Sequence, residues 1–152
     1  MKELVKYILD KVSFAEKYAE ICNSYKEYDN GMNFTKKQVE SVLSSFNAGL
    51  VYASKDKSFY KDYVFGSYNA RITMTYKYGF IECFYSLWNT ENDDYVLGRF
   101  NSIASMQGED FKSKVAHSFP VATSLEDIES ILRSIVKLNS EFMEQFEKSV
   151  TN

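Results

Sequence analysis

His117-Ser118 is the one place in this 152-residue chain where a base and a hydroxyl nucleophile stand side by side, the pair with which a hydrolase activates an alcohol. Its surroundings do not support that chemistry. No Gly-x-Ser-x-Gly elbow is present, and nothing marks the third group that would orient the base, so His117 reads as a loop histidine. Cys22 and Cys83 are the only cysteines. They lack metal-type spacing, and the sole histidine would add at most a third ligand, so both are expected to be small buried hydrophobes. Glu91, Asn92, Asp93 and Asp94 could offer carboxylate oxygens to a hard cation. The alternating acids and distal glutamate of a calcium loop are missing, which makes this a solvated turn. Asp93-Asp94 and Glu126-Asp127 are adjacent pairs and do not pose a general acid against a base. Six scattered glycines form no phosphate-cradling loop. No cofactor, no metal and no catalytic residue are expected.

What remains is binding chemistry. Fourteen of the 25 aromatic residues fall between positions 47 and 100. Tyrosine and tryptophan pair a large apolar body with a polar tip and serve as anchors at protein interfaces. Trp88 is the best single anchor, with Tyr85 and Tyr95 beside it, and Tyr60, Tyr63, Tyr68, Tyr76 and Tyr78 as further candidates. The net charge of −3 comes wholly from the last third of the chain, since residues 101–152 carry five basic against eight acidic groups. A mildly acidic chain has no long-range attraction for phosphate backbones, so nucleic acid is not an expected partner. An acidic surface suits a basic protein. Asp93, Asp94, Glu141 and Glu144 are the acids assigned to such a contact.

The elements that must position these residues are legible from periodicity. Apolar residues from Leu4 to Tyr25 recur at helical spacing, which predicts one helix over 3–28, closed by Asp29-Asn30-Gly31. Thr35-Lys36-Lys37-Gln38 is a capping box that starts a second helix running to about 46. Alternation then predicts a meander of about five antiparallel strands, near 50–54, 60–66, 71–77, 80–88 and 95–104, with a hairpin turn at Tyr78-Gly79. In the fourth strand Ile81, Cys83, Tyr85 and Leu87 share one face, and Glu82, Phe84, Ser86 and Trp88 the other. Residues 105–123 are the least legible, with a short helix near 110–115 and Pro120 opposing a central strand. A second capping box, Ser124-Leu125-Glu126-Asp127, opens a long C-terminal helix with a wide apolar stripe and Asn139 at an inward position. That stripe predicts packing on the sheet, with a homodimer contact through the helix as the alternative to a monomer.

The expected fold is α+β in a single domain over 1–152: two N-terminal helices, the meander, and the long C-terminal helix packed on the sheet. The N-terminus has no apolar leader and no run approaches a membrane span, from which a cytoplasmic location is expected. In element order the chain loosely resembles helix-grip ligand-binding folds of the START type, without their initial strand. In size, acidity and lack of catalytic residues it resembles small bacterial immunity proteins, antitoxins and secretion chaperones. These likenesses imply a non-enzymatic module that binds and neutralises a basic toxin or effector. The alternatives are a secretion chaperone or a small-molecule carrier with a cavity between sheet and C-terminal helix.

Overall fold

In the computed structural model, which describes residues 1–108 and 110–151, five antiparallel strands lie in sequence order with helices on one face. The strands are β1 (Val51–Ala53), β2 (Ser58–Phe65), β3 (Tyr68–Thr75), β4 (Glu82–Asn89) and β5 (Asp94–Arg99). The helices are α1 (Lys2–Val12), α2 (Phe14–Ser24), α3 (Lys36–Ser45), α4 (Phe100–Ser105) and α5 (Leu125–Thr151). The α+β fold, the meander and the long helix on the sheet are as the periodicity predicts.

Three boundaries differ, each for a physical reason. The helix expected over 3–28 is two, because Ser13 adopts a left-handed conformation (φ 54°) that the helical stripe does not reveal. Gln107 stabilises the break from 92 residues away: its Oε1 accepts from the Ala15 N–H at 2.7 Å, and its Nε2 donates to Asp10 Oδ1 at 3.0 Å. An orphan donor of the new helix is thereby satisfied. The strand expected over 95–104 ends at Arg99, where the chain turns into α4 and buries Phe100, Ile103 and Ala104. Residues 77–79 form a 3-10 turn in place of a tight hairpin. The stretch 105–123 holds a short 3-10 helix, Phe111–Lys114, that seats the buried Phe111; Glu109, within that stretch, and Asn152 lie outside the described residues.

The Thr35 box forms with both of its hydrogen bonds. Ahead of α5, Ser124 Oγ accepts from the Asp127 N–H at 3.0 Å, while the Asp127 carboxylate turns to the Thr123 N–H and hydroxyl at 2.9 and 2.6 Å. From there α5 rises for 27 residues, about 40 Å, against α1, α2, α3 and β2. Its stripe of Ile128, Ile131, Leu132, Ile135, Leu138, Phe142, Met143 and Phe146 is buried within its own chain. Asn139 sits in the middle of that stripe, accepting from the Tyr85 hydroxyl at 3.0 Å and donating to Tyr63 at 2.9 Å. The inward position inferred for Asn139 thus fixes the helix against the sheet, since a slip would strand a buried amide.

Beside the sheet, three loops are tied by backbone hydrogen bonds: Met32 N–H to Ala122 O at 3.0 Å, Ala122 N–H to Gly79 O at 2.8 Å and Ile81 N–H to Pro120 O at 3.0 Å. Gly79 allows this approach, with φ 77° and an added Cβ 2.5 Å from the Ala122 carbonyl oxygen. Gly79→Ala is expected to destabilise the fold by at least about 2 kcal/mol in urea denaturation, from left-handed strain plus overlap with backbone that cannot yield. Gly66→Ala, left-handed but with nothing within 4 Å, is the control and is expected to cost about 1 kcal/mol. Equal costs would mean that the loop junction is not rigid.

Candidate functional surface

Strand alternation sends one set of side chains under the helices and the other outward. On the inner face the rings of Tyr85 and Phe142 stack with centroids 4.5 Å apart, and Phe14 and Phe100 close around them, with Phe100 4.7 Å from Tyr85. The space between sheet and α5, where a carrier would hold its ligand, is filled by these rings.

Among the described residues, no helix or loop covers the outer face. The strand register orders it in three rows: Val64, Asn69, Trp88 and Tyr95; then Asp62, Arg71, Ser86 and Leu97; then Tyr60, Thr73, Phe84 and Arg99, with Val51 beyond Tyr60. Its large apolar residues are unusually bare, from 39% for Phe84 and 42% for Trp88 to 59% for Tyr95, 64% for Leu97 and 71% for Val64. Monomeric soluble proteins rarely leave such residues contiguous. The polar centre of the face is internally neutralised. Arg71 forms a two-pronged pair with Asp62 at 2.6 and 2.8 Å, and its guanidinium lies 4.3 Å from the Tyr60 ring. That hydrogen-bonded guanidinium holds the Asp62 carboxyl below the usual carboxylate range. Around the pair lies a shallow groove of about 380 Å³, walled by Val64, Asn69, Ser86 and Trp88.

One corner of the face is acidic. Trp88 Nε1 donates to Asp93 Oδ1 at 3.1 Å, which orients the indole. Asp94, in register with Asn89 on the inner face, turns to the helical side and meets the Met1 ammonium at 2.8 Å. That ammonium lowers the Asp94 carboxyl pKa. The opposite corner carries Arg99, 71% exposed and 3.8 Å from Glu82.

The candidate residues therefore divide. Trp88, Tyr95, Asp93 and Asp94 cluster at the β4–β5 end of the sheet, with Trp88 and Tyr95 as direct cross-strand partners. Tyr85 is a correction: it points inward, is fully buried and gives its hydroxyl to Asn139, so it cannot anchor a partner. Burial holds its hydroxyl well above the usual pKa. Tyr63 and Tyr68 also face the helices. Glu141 pairs with Lys17 at 2.7 Å in the groove between α2 and α5, and Glu144 pairs with Lys148 at 3.1 Å on α5. Both lie across the sheet from Trp88, so the four acids do not form one surface. Val64, Phe84 and Leu97 were not among the candidates, although the alternation that placed Trp88 outward would have placed them too.

Among the described residues, no group of three or more His, Cys, Asp and Glu side chains is placed to hold a metal, and no helix is long and apolar enough to cross a membrane. His117 packs its ring on Tyr28, centroids 3.5 Å apart. Burial pushes the Cys22 thiol up from 9.0 to about 12 and Cys83 higher still. Only the thiolate is a nucleophile. Native protein at pH 8 is therefore expected to react with iodoacetamide at least about 100-fold more slowly than unfolded protein, and fast labelling in the fold would contradict the burial. A raised thiol pKa also means that this contribution to stability is complete below pH 9 and is lost as pH rises through about 12. No family model matches the chain, and comparison with curated proteins and solved structures finds no match.

Proposed function

We propose that this chain is a non-enzymatic protein-binding module that docks a partner on the open face of its sheet, in the manner of a small acidic immunity or antitoxin protein occluding a toxin. The observation that carries the reading is the exposure of Phe84, Trp88, Tyr95 and Leu97 as neighbours, with Val64 beyond Asn69, on a face that the chain's own helices leave bare. Burying such a patch supplies non-directional affinity in proportion to the apolar area removed from water. A tryptophan whose indole is oriented by Asp93 supplies the anchor that protein interfaces concentrate their energy in. The acids at Glu91 and Asp93 give the partner's chemistry, an apolar patch flanked by basic groups, and they steer its approach.

The test is retention of a partner by the tagged chain from lysate of the cells that make it. Val64→Glu with Phe84→Glu places two charges in the apolar part of the face without touching the core, and is expected to abolish retention. Reversal of Glu141 and Glu144 to lysine is expected to leave it intact. The opposite pattern would move the site to the α2–α5 groove and overturn the proposal.

A further inference from the structure

The sheet has two edges, and they differ. β1 is three residues long, the short kind of edge with which natural sheets limit unwanted pairing. β5 runs for six, with Tyr95-Val96-Leu97-Gly98 between charged ends and neither lysine nor proline to blunt it. Among the described residues, its backbone hydrogen-bonds only to β4, apart from the Asp94 N–H, which donates to Asn92 Oδ1. A groove of about 550 Å³ follows this edge, with Tyr95, Val96 and Leu97 on one wall and Lys2, Ile103 and Met106 on the other.

We propose that β5 is a self-pairing edge, through which two copies of this chain join antiparallel about a two-fold axis at Val96 into one continuous sheet. This goes beyond the docking face, and it would place two such faces side by side. A two-fold axis perpendicular to the sheet turns the same face of both copies outward, so outward residues pair with outward residues. Centred on Val96, the register sets Tyr95 against Leu97 of the second copy, twice, and brings Asp93, in the left-handed turn just before the strand (φ 60°), to the end of the ladder where the second copy's Arg99 lies. Acid before the strand and base at its end make the sequence complementary to itself reversed, and that charge pattern selects a second copy as the occupant. Arg99 is placed to serve: it is largely exposed, and its ion pair among the described residues is the 3.8 Å contact with Glu82. Val96, at the axis on the inner face, is already packed within its own chain, so the outward row carries the complementarity.

Sedimentation equilibrium of the full chain, from about 1 µM to about 1 mM, tests the proposal. A reversible dimer is expected. Arg99→Asp or Asp93→Arg alone should each raise its dissociation constant about tenfold, since symmetry turns two attractive pairs into two repulsive ones. The double variant D93R/R99D should return to within about threefold of wild type, and Glu144→Lys should change nothing. Because a turn variant may misfold, a mixed isotope-labelled wild-type sample provides a second readout: an intermolecular nuclear Overhauser contact between the Tyr95 ring and the Leu97 methyls. A monomer throughout the range, a dimer indifferent to both single reversals, or the absence of that contact would each overturn the proposal.

Discussion

Phe142→Ala is expected to lower the free energy of unfolding by about 3–5 kcal/mol, the largest stability effect of any single truncation argued for this chain. Phe142 is fully buried and lies where α5, α2 and the sheet meet. It stacks on Tyr85 at 4.5 Å and lies 6.1 Å from both Phe14 and Phe146. Removing the ring forfeits its transfer free energy and leaves a void bounded by strands that cannot collapse inward, because their register is fixed on both sides. Set against a typical total of 5–15 kcal/mol, the loss would bring the protein near its unfolding threshold. Urea denaturation measures it, with the denaturant slope expected to stay constant because the unfolded surface is unchanged. Glu144→Ala, on the exposed side of the same helix, is expected to change stability by less than about 0.5 kcal/mol. A loss below about 1 kcal/mol for Phe142→Ala would mean that α5 is not seated on the aromatic cluster.

Trp88→Ala is expected to have the largest effect on binding, weakening partner affinity by about 2–4 kcal/mol, or roughly 30- to 1,000-fold, while leaving the fold nearly as stable as wild type. The two effects separate because the indole stands outside the core. Its structural contacts are the cross-strand pairing with Tyr95 and the hydrogen bond to Asp93, together worth about 1 kcal/mol. Titration calorimetry against the captured partner reads the affinity, and urea denaturation reads the stability. Trp88→Phe, which keeps the ring but drops the N–H, should recover part of the affinity. Equal affinity for wild type and alanine variant would remove the anchor role.

The elements that periodicity could reach were legible, and those that depend on distant contacts were not. The outward and inward sets of β4 follow from alternation alone, which separates Phe84 and Trp88 from Cys83 and Tyr85. Residue type makes Tyr85 an anchor candidate, but the same alternation puts it with the core. The break at Ser13 was invisible because the apolar stripe continues through it and the side chain that stabilises it, Gln107, is remote. The early end of β5 was hidden because Phe100 and Ile103 are as apolar as a strand would require. Asp93 and Glu141 share a charge but lie across the sheet from each other, and charge counts carry no geometry. For the surface, the sequence held residue types. The sheet supplied their grouping.

Site-specific photo-crosslinking in the cells that make the protein tests the central claim most directly. A photoreactive residue is placed in turn at Val64 and Leu97 on the open face and at Lys137 and Glu144 on the helical side. Val64 and Leu97 are each expected to yield the same covalent adduct with a partner protein, Trp88→Ala to remove it, and Lys137 and Glu144 to yield none. An adduct formed from the helical side and absent from Val64 and Leu97 would contradict it.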